Sequence, residues 1–232
     1  MHGAAASWHV FETPSQLADA LAERIAARLS DAISLRGQAT LAVSGGRTPG
    51  LLFRTLSCKP LPWDRVIVTL VDERFVPPED ERSNARLVRD NLLTGPAAIA
   101  SFVPLYRPTQ TVENAADFAE LSIAGLPRPF DVVVLGMGID GHAASFFPDA
   151  EELAELAANR DGRSVLPVIA ASAGEPRLTL SMQLICAARL LVLHIEGEEK
   201  KAVLTRALEG DDLPVSIIWK HAQNGIQVYW AP

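Results

Sequence analysis

The chain has 232 residues, of which 48% are hydrophobic and 6% aromatic, so alanine, valine and leucine must fill one substantial core. Its formal net charge is −7, with no basic run, which argues against nucleic acid or an anionic membrane as partner. The amino terminus, residues 1–11, lacks the pattern of a signal peptide, and no apolar run is long enough to span a membrane. We therefore expect a cytoplasmic protein with a single domain over residues 1–232.

The first predicted helix begins at Thr13-Pro14, a capping hydroxyl followed by a proline in the first turn. Apolar residues then recur every fourth position, and the pattern ends near Gly37. A buried strand is predicted at 39–43, and a second helix begins at Thr48-Pro49. This order indicates a strand, a tight turn and a helix start.

The turn between that strand and that helix contains Ser44, Gly45, Gly46 and Thr48. Free backbone N–H groups and the dipole of the following helix would favour an anion there. The turn matches neither a P-loop nor a dinucleotide-binding turn. It is a candidate phosphate cradle, and a tight turn without a ligand is the alternative.

A second buried strand is predicted at 66–71, and it is followed by the charged residues Asp72, Glu73 and Arg74. We expect these charges not to point into the core, and a solvated loop is the alternative to a functional role. An irregular connection is predicted at Pro77-Pro78. It is followed by a helix from Ser83 to Leu93 and by another helix over 112–124, which leads to the next strand.

The run Phe130 to Leu135 is typical of a strand buried on both faces of a parallel sheet. The sequence GMGIDGH follows it, with dense glycines, including Gly138, that would let backbone amides approach a ligand. Asp140 and His142 place a carboxylate beside an imidazole where this strand ends. A helix-capping loop with a surface histidine is the alternative.

The last third of the chain is predicted to contain a helix, four strands and a further helix. The first helix covers 149–158, the strands lie near 164–169 and 177–182 and at 189–195 and 226–230, and the second helix begins at Glu198. Arg177 starts the second of these strands, and Lys200 lies in the first turn of the last helix, where a cation opposes the helix dipole. His194, within a strand, is interpreted as a core histidine.

The alternation of strands and helices predicts an α/β fold, with a doubly wound, mostly parallel sheet and helices on both faces in three Rossmann-like layers. Four polar clusters, SGGRT, DER, GMGIDGH and GEEK, each follow a buried strand. Parallel strands end at one edge of the sheet, so we expect these clusters to meet there.

The chemistry of this edge combines an anion cradle with an acid–base group. The spacing of His, Cys and carboxylates predicts no metal site, and no GxSxG motif supplies a serine nucleophile. We expect no cofactor. A histidine general base that activates water fits best, since imidazoles titrate near neutral pH.

The motifs SGGRTP, VDERFVPPEDERSN, LGMGIDGHAASFFP, PRLTLS and GEEKKAVL, in this order, resemble those of the 6-phosphogluconolactonase family. The resemblance covers about residue 40 to Trp219. It implies hydrolysis of 6-phospho-D-glucono-1,5-lactone to 6-phosphogluconate in the oxidative pentose phosphate pathway. The partner would be this phosphorylated sugar lactone, bound by a monomer or small homo-oligomer.

Residue roles also follow from the resemblance. His142 would activate water, Arg74 would stabilise the oxyanion, and Asp140 would position His142 or the sugar hydroxyls. Asp72 is a further catalytic candidate and, with Glu73, a rival for the base. The residues expected to bind substrate or its phosphate are Ser44, Gly45, Gly46, Thr48, Gly138, Arg177 and Lys200.

Two other functions remain as alternatives. A glucosamine-6-phosphate deaminase-like isomerase is expected to carry tyrosine at the position of Arg74 and a glutamate shortly after the histidine, and the segment SFFPD lacks one. A non-catalytic phosphosugar sensor would be expected to accompany a DNA-binding domain, and it would have no use for Asp140 and His142.

Overall fold

The computed structural model describes residues 7–151 and 153–232. The strands are β1 (Ser7–Val10), β2 (Ala39–Val43), β3 (Val66–Leu70), β4 (Asp72–Arg74), β5 (Ser101–Val103), β6 (Val132–Leu135), β7 (Val165–Val168), β8 (Arg177–Leu180), β9 (Leu191–Glu196) and β10 (Gln227–Ala231). The helices are α1 (Pro14–Arg36), α2 (Gly50–Ser57), α3 (Asn84–Asn91), α4 (Val112–Ala124), α5 (Leu153–Ala158), α6 (Met182–Cys186), α7 (Glu198–Glu209) and α8 (Pro214–His221).

A parallel sheet of seven strands forms the centre of the fold, in the order β1-β10-β9-β6-β2-β3-β5. Every residue of β2 and β6 is buried, as their runs, apolar except for Thr40, predict for strands covered on both faces. The predicted α/β class and mostly parallel sheet are confirmed. No helix in residues 7–151 and 153–232 has the length and apolarity needed to cross a membrane.

Helix α1 follows the predicted signals closely. The Thr13 hydroxyl accepts a hydrogen bond from the Gln16 N–H at 3.2 Å, and Gly37 ends the helix with a positive φ of 79°. The four residues of its apolar stripe are fully buried; they are Leu17, Leu21, Ile25 and Leu29. Local signals at both ends and one apolar face therefore determine this helix.

A second, antiparallel sheet in the order β4-β8-β7 was not predicted. The strands expected near 164–169 and 177–182 belong to it and not to the parallel sheet, and β4 contains the Asp72-Glu73-Arg74 segment that was considered a possible loop. Arg74 pairs in register with Arg177 across this sheet. This pairing places Asp72, Arg74 and Arg177 beside the carboxyl ends of the parallel strands.

Connections leave β2 and β6 in opposite directions, because β2 leads to β3 on one side and β6 leads to β9 on the other. Adjacent strands with diverging connections form a topological switch point, where α/β proteins bind ligands.

The helix predicted over 149–158 begins at Leu153 in the structure, and residue 152 lies outside the described residues. The first six residues of the segment examined for a signal peptide also lie outside them.

Candidate active site

A cavity of about 290 Å³ opens at the switch point, between the carboxyl ends of the parallel strands and the second sheet. All the predicted site residues except Asp140 line it, so the expected meeting of the polar clusters at one edge is observed. The lining residues among them are Ser44, Gly45, Gly46, Thr48, Asp72, Arg74, Gly138, His142, Arg177 and Lys200.

Asp140 lies directly behind His142, in the loop that follows β6. Its Oδ1 is 2.6 Å from Nδ1 of the imidazole and also accepts a hydrogen bond from the His142 backbone N–H at 3.2 Å. A carboxylate in this position favours the tautomer with the proton on Nδ1, so Nε2 is the nitrogen left to accept a proton. The imidazole ring also packs against Phe147, with ring centroids 4.4 Å apart.

The turn after β2 forms one end of the cavity. The hydroxyl of Ser44 is buried and has no hydrogen-bond partner among the described residues, and Gly46 has a φ of 96°. Lys200 Nζ lies 3.4 Å from the hydroxyl of Thr48. Burial lowers the pKa of Lys200, with the carboxylate of Glu196 opposing this shift. An unpaired hydroxyl and a half-buried ammonium group that line the same cavity form a site in which an anion would satisfy both.

Two guanidinium groups form another part of the lining. Arg177 is 8% exposed, and Nε of Arg177 and Nε of Arg74 are both buried without a partner among the described residues. The ring of Phe147 lies 5.5 Å from the Arg177 guanidinium. Burial lowers the pKa of Arg177, and the positive charge of Arg74 lowers it further. Like charges placed opposite each other across strands are unfavourable alone, so this part of the lining also favours an anion.

Asp72 and Glu73 are adjacent in β4 but have different surroundings. Asp72 faces the cavity, and its Oδ2 accepts a hydrogen bond from the buried Ser145 hydroxyl at 2.9 Å. Glu73 is fully buried, so the expectation that none of these charges points into the core is wrong.

The oxygens of Glu73 are occupied at the amino terminus of α3. They accept hydrogen bonds from the backbone N–H groups of Arg74, Asn84 and Ala85 and from the Ser83 hydroxyl, at 2.7–3.1 Å. Burial raises the pKa of Glu73, although the backbone donors oppose that shift. Glu73 therefore caps a helix and does not line the cavity.

Sequence reasoning missed several residues that line the cavity. Asn84 donates from Nδ2 to the carbonyl of Asp72 at 2.8 Å, and Phe147 contacts both His142 and Arg177. His194 is buried, as interpreted, but it also lines the cavity and pairs with Glu196 at 3.2 Å. The SN dipeptide that caps α3 was a local signal for Asn84, whereas the position of Phe147 depends on long-range packing.

No group of three or more His, Cys, Asp or Glu residues in the described part of the chain is arranged to hold a metal ion. The charged side chains of the cavity are mostly cationic, and Asp72 is the one carboxylate among its described lining residues. Such a lining suits an anionic ligand better than a cation.

Comparisons with known proteins agree with this geometry. A family model described as glucosamine-6-phosphate isomerases/6-phosphogluconolactonase matches residues 12–230. The 6-phosphogluconolactonase of Mesorhizobium japonicum is 52% identical over 233 residues, covering 100% of this chain and 98% of that protein. That of Rhizobium meliloti is 53% identical over 230 residues, covering 98% and 99%.

A solved structure shows the same fold. The crystal structure of a 6-phosphogluconolactonase from Shewanella baltica has a TM-score of 0.96 and 40% identity, and the match covers 100% of both chains. The family resemblance that the sequence motifs indicated is confirmed. The chain belongs to the glucosamine-6-phosphate isomerase/6-phosphogluconolactonase family.

Proposed function

We propose that the protein hydrolyses 6-phospho-D-glucono-1,5-lactone to 6-phosphogluconate in the oxidative pentose phosphate pathway, with His142 as the general base. The observation that carries the proposal is the Asp140–His142 pair, 2.6 Å apart, at the wall of a cavity whose cations have unpaired donors. The relatives named 6-phosphogluconolactonase, at up to 53% identity, support the same reaction.

In this mechanism, Nε2 of His142 takes a proton from water as the water oxygen attacks the lactone carbonyl carbon. Negative charge develops on the carbonyl oxygen, and the Arg74 guanidinium stabilises it; one such donor is worth about 10²–10³ in rate. The bond between the carbonyl carbon and the ring oxygen then breaks. The ring oxygen takes the proton back from His142, which gives the free hydroxyl and the carboxylic acid of the product.

The phosphate handle is the second part of the proposal. The turn from Ser44 to Thr48, together with Lys200 and Arg177, would hold the phosphate, because these groups supply unpaired donors and positive charge. Asp72 would contact the sugar or the attacking water, with its carboxylate oriented by the Ser145 hydroxyl.

A proton-release assay on freshly made 6-phosphogluconolactone tests this function. We expect acceleration well above spontaneous hydrolysis, no reaction with glucosamine 6-phosphate, and poor turnover of unphosphorylated gluconolactone, which lacks the charge-assisted contacts. Turnover of glucosamine 6-phosphate would favour the deaminase-like alternative. Binding of phosphosugars without any turnover would favour the sensor, and equal rates on both lactones would overturn the phosphate site.

Hydrolysis should not depend on an added metal ion. The charged side chains that line the cavity are mostly cationic, and water activation is assigned to His142. Prolonged treatment with EDTA followed by desalting should therefore leave kcat unchanged. A large loss that zinc or magnesium restores would contradict a mechanism that needs only water and histidine.

The cytoplasmic location, the single domain, the monomeric or small homo-oligomeric state and the absence of nucleic-acid partners stay predictions from the sequence.

A further inference from the structure

Gly138 lies in the loop after β6 and forms the floor beneath the Asp140–His142 pair. Its N–H donates to the carbonyl of His142 at 2.9 Å, and its carbonyl accepts from the Gly141 N–H at 3.1 Å. A Cβ built at Gly138 would lie 2.3 Å from His142 Nδ1 and 2.4 Å from Asp140 Oδ1. Real Cβ atoms essentially never approach other atoms within 3.0 Å. The pair thus occupies the space that a side chain at 138 would need.

The backbone at this position does not itself require glycine. Gly138 is not among the residues with positive φ, whereas Gly141, three positions later, has a φ of 80°. The φ at 138 is therefore no obstacle to an alanine, whereas an alanine at 141 would be strained. Glycine at 138 therefore leaves room for the Asp140–His142 pair and is not needed for the φ of the turn.

Local contacts hold the pair in place, although its side chains are part-exposed, 30% for His142 and 37% for Asp140. The Asp140 carboxylate is tied to both the backbone N–H and the ring of His142, and the ring packs against buried Phe147. To reach an ordinary contact of 3.4 Å from a new Cβ, the imidazole would have to move by about 1 Å. Displacements of about 1 Å in catalytic groups can cost about 10²-fold in rate.

We propose that Gly138 is a positioning residue: because it has no side chain, it leaves the space that the Asp140–His142 pair occupies in its hydrogen-bonded geometry. This inference rests on the proposed function, in which His142 is the base. It differs from the role expected from the sequence, in which the glycine gives the substrate close access to the backbone. If a side chain at 138 displaces the Asp140–His142 pair, kcat should fall. If it instead blocks the approach of the substrate to the backbone, KM should rise.

The variant Gly138→Ala tests this positioning role. We expect kcat to fall by about 10- to 100-fold, with KM and the inhibition constant of 6-phosphogluconate within about threefold of their original values. The matched control is Ile139→Ala, one residue along the same loop. Ile139 is 60% exposed and does not line the cavity, so its removal should leave kcat unchanged within about twofold.

Proton NMR supplies a readout that does not depend on turnover. The proton between His142 Nδ1 and the Asp140 carboxylate should give a far-downfield signal in the original protein and in Ile139→Ala, and this signal should be absent in Gly138→Ala. An intact signal with intact kcat, a raised KM with unchanged kcat, or failure of Gly138→Ala to fold would each overturn the inference. If the original protein does not hydrolyse the lactone, the proposed function fails, and the NMR comparison alone then decides the role of Gly138.

Discussion

Replacement of His142 by asparagine should lower kcat by about 10²- to 10⁴-fold, the usual contribution of a general base, with little change in KM. Asparagine keeps the approximate size and a hydrogen-bonding group but cannot accept a proton from water. The phosphate contacts are made by other residues of the cavity, so binding should persist. Steady-state kinetics on fresh lactone measures both constants, and the spontaneous rate must be subtracted at every pH.

The pH profile gives a second readout of the same variant. With the unmodified protein, kcat should fall on acidification, because a protonated base cannot accept a proton from water. The His142→Asn variant should lack this acidic limb. A profile with the same limb in both proteins would assign it to another group.

Asp72 is the rival base, and Asp72→Asn is the matched comparison. Asp72 lines the cavity, but one of its oxygens already accepts the Ser145 hydroxyl. Glu73 is a weaker rival, because it is fully buried and its oxygens accept four hydrogen bonds around the start of α3. If His142→Asn retains more than about a tenth of the original kcat while Asp72→Asn is severely impaired, His142 is not the base.

The parts of the site that local sequence determines could be predicted. Strands β2 and β6 are apolar runs interrupted only by Thr40, and a polar turn follows each one directly, so the parallel sheet places Ser44 and His142 at one edge. The helix boundaries at Thr13 and Gly37 also follow from residue types within a few positions. Short-range chemistry is sufficient for these features.

The second sheet could not be predicted, because β4 has only three residues, all charged, and is a strand only through its pairing with β8 about a hundred residues later. For the same reason Glu73 resembles an exposed residue in the sequence, whereas its burial depends on donors that α3 brings to it. The contact of Phe147 with Arg177 likewise joins distant segments. Residue patterns do not encode such pairings locally.

Arg177→Met should weaken substrate binding without destabilising the unliganded protein. A charge-assisted hydrogen bond is worth about 1.5–3 kcal/mol, so kcat/KM for the phosphorylated lactone should fall by roughly 10- to 100-fold, mainly through KM. Methionine keeps most of the volume against Phe147 and removes the buried one of two guanidinium groups that face each other, which offsets the loss of the hydrogen bond from Arg177 to the Ala173 carbonyl. The thermal unfolding temperature without ligand should therefore be unchanged or higher.

The stabilisation by bound 6-phosphogluconate distinguishes a loss of ligand binding from a change in the stability of the unliganded protein. At a 6-phosphogluconate concentration of 100 times Kd, binding stabilises a folded protein by about 2.7 kcal/mol, and this falls to about 0.4 kcal/mol if Kd rises 100-fold at the same concentration. Thermal unfolding with and without 6-phosphogluconate should show this loss in Arg177→Met. The control Arg65→Met removes a guanidinium that is 63% exposed and outside the cavity, and it should keep the full shift. If Arg177→Met keeps the full shift as well, Arg177 does not hold the phosphate, and the facing pair of Arg74 and Arg177 must have another purpose.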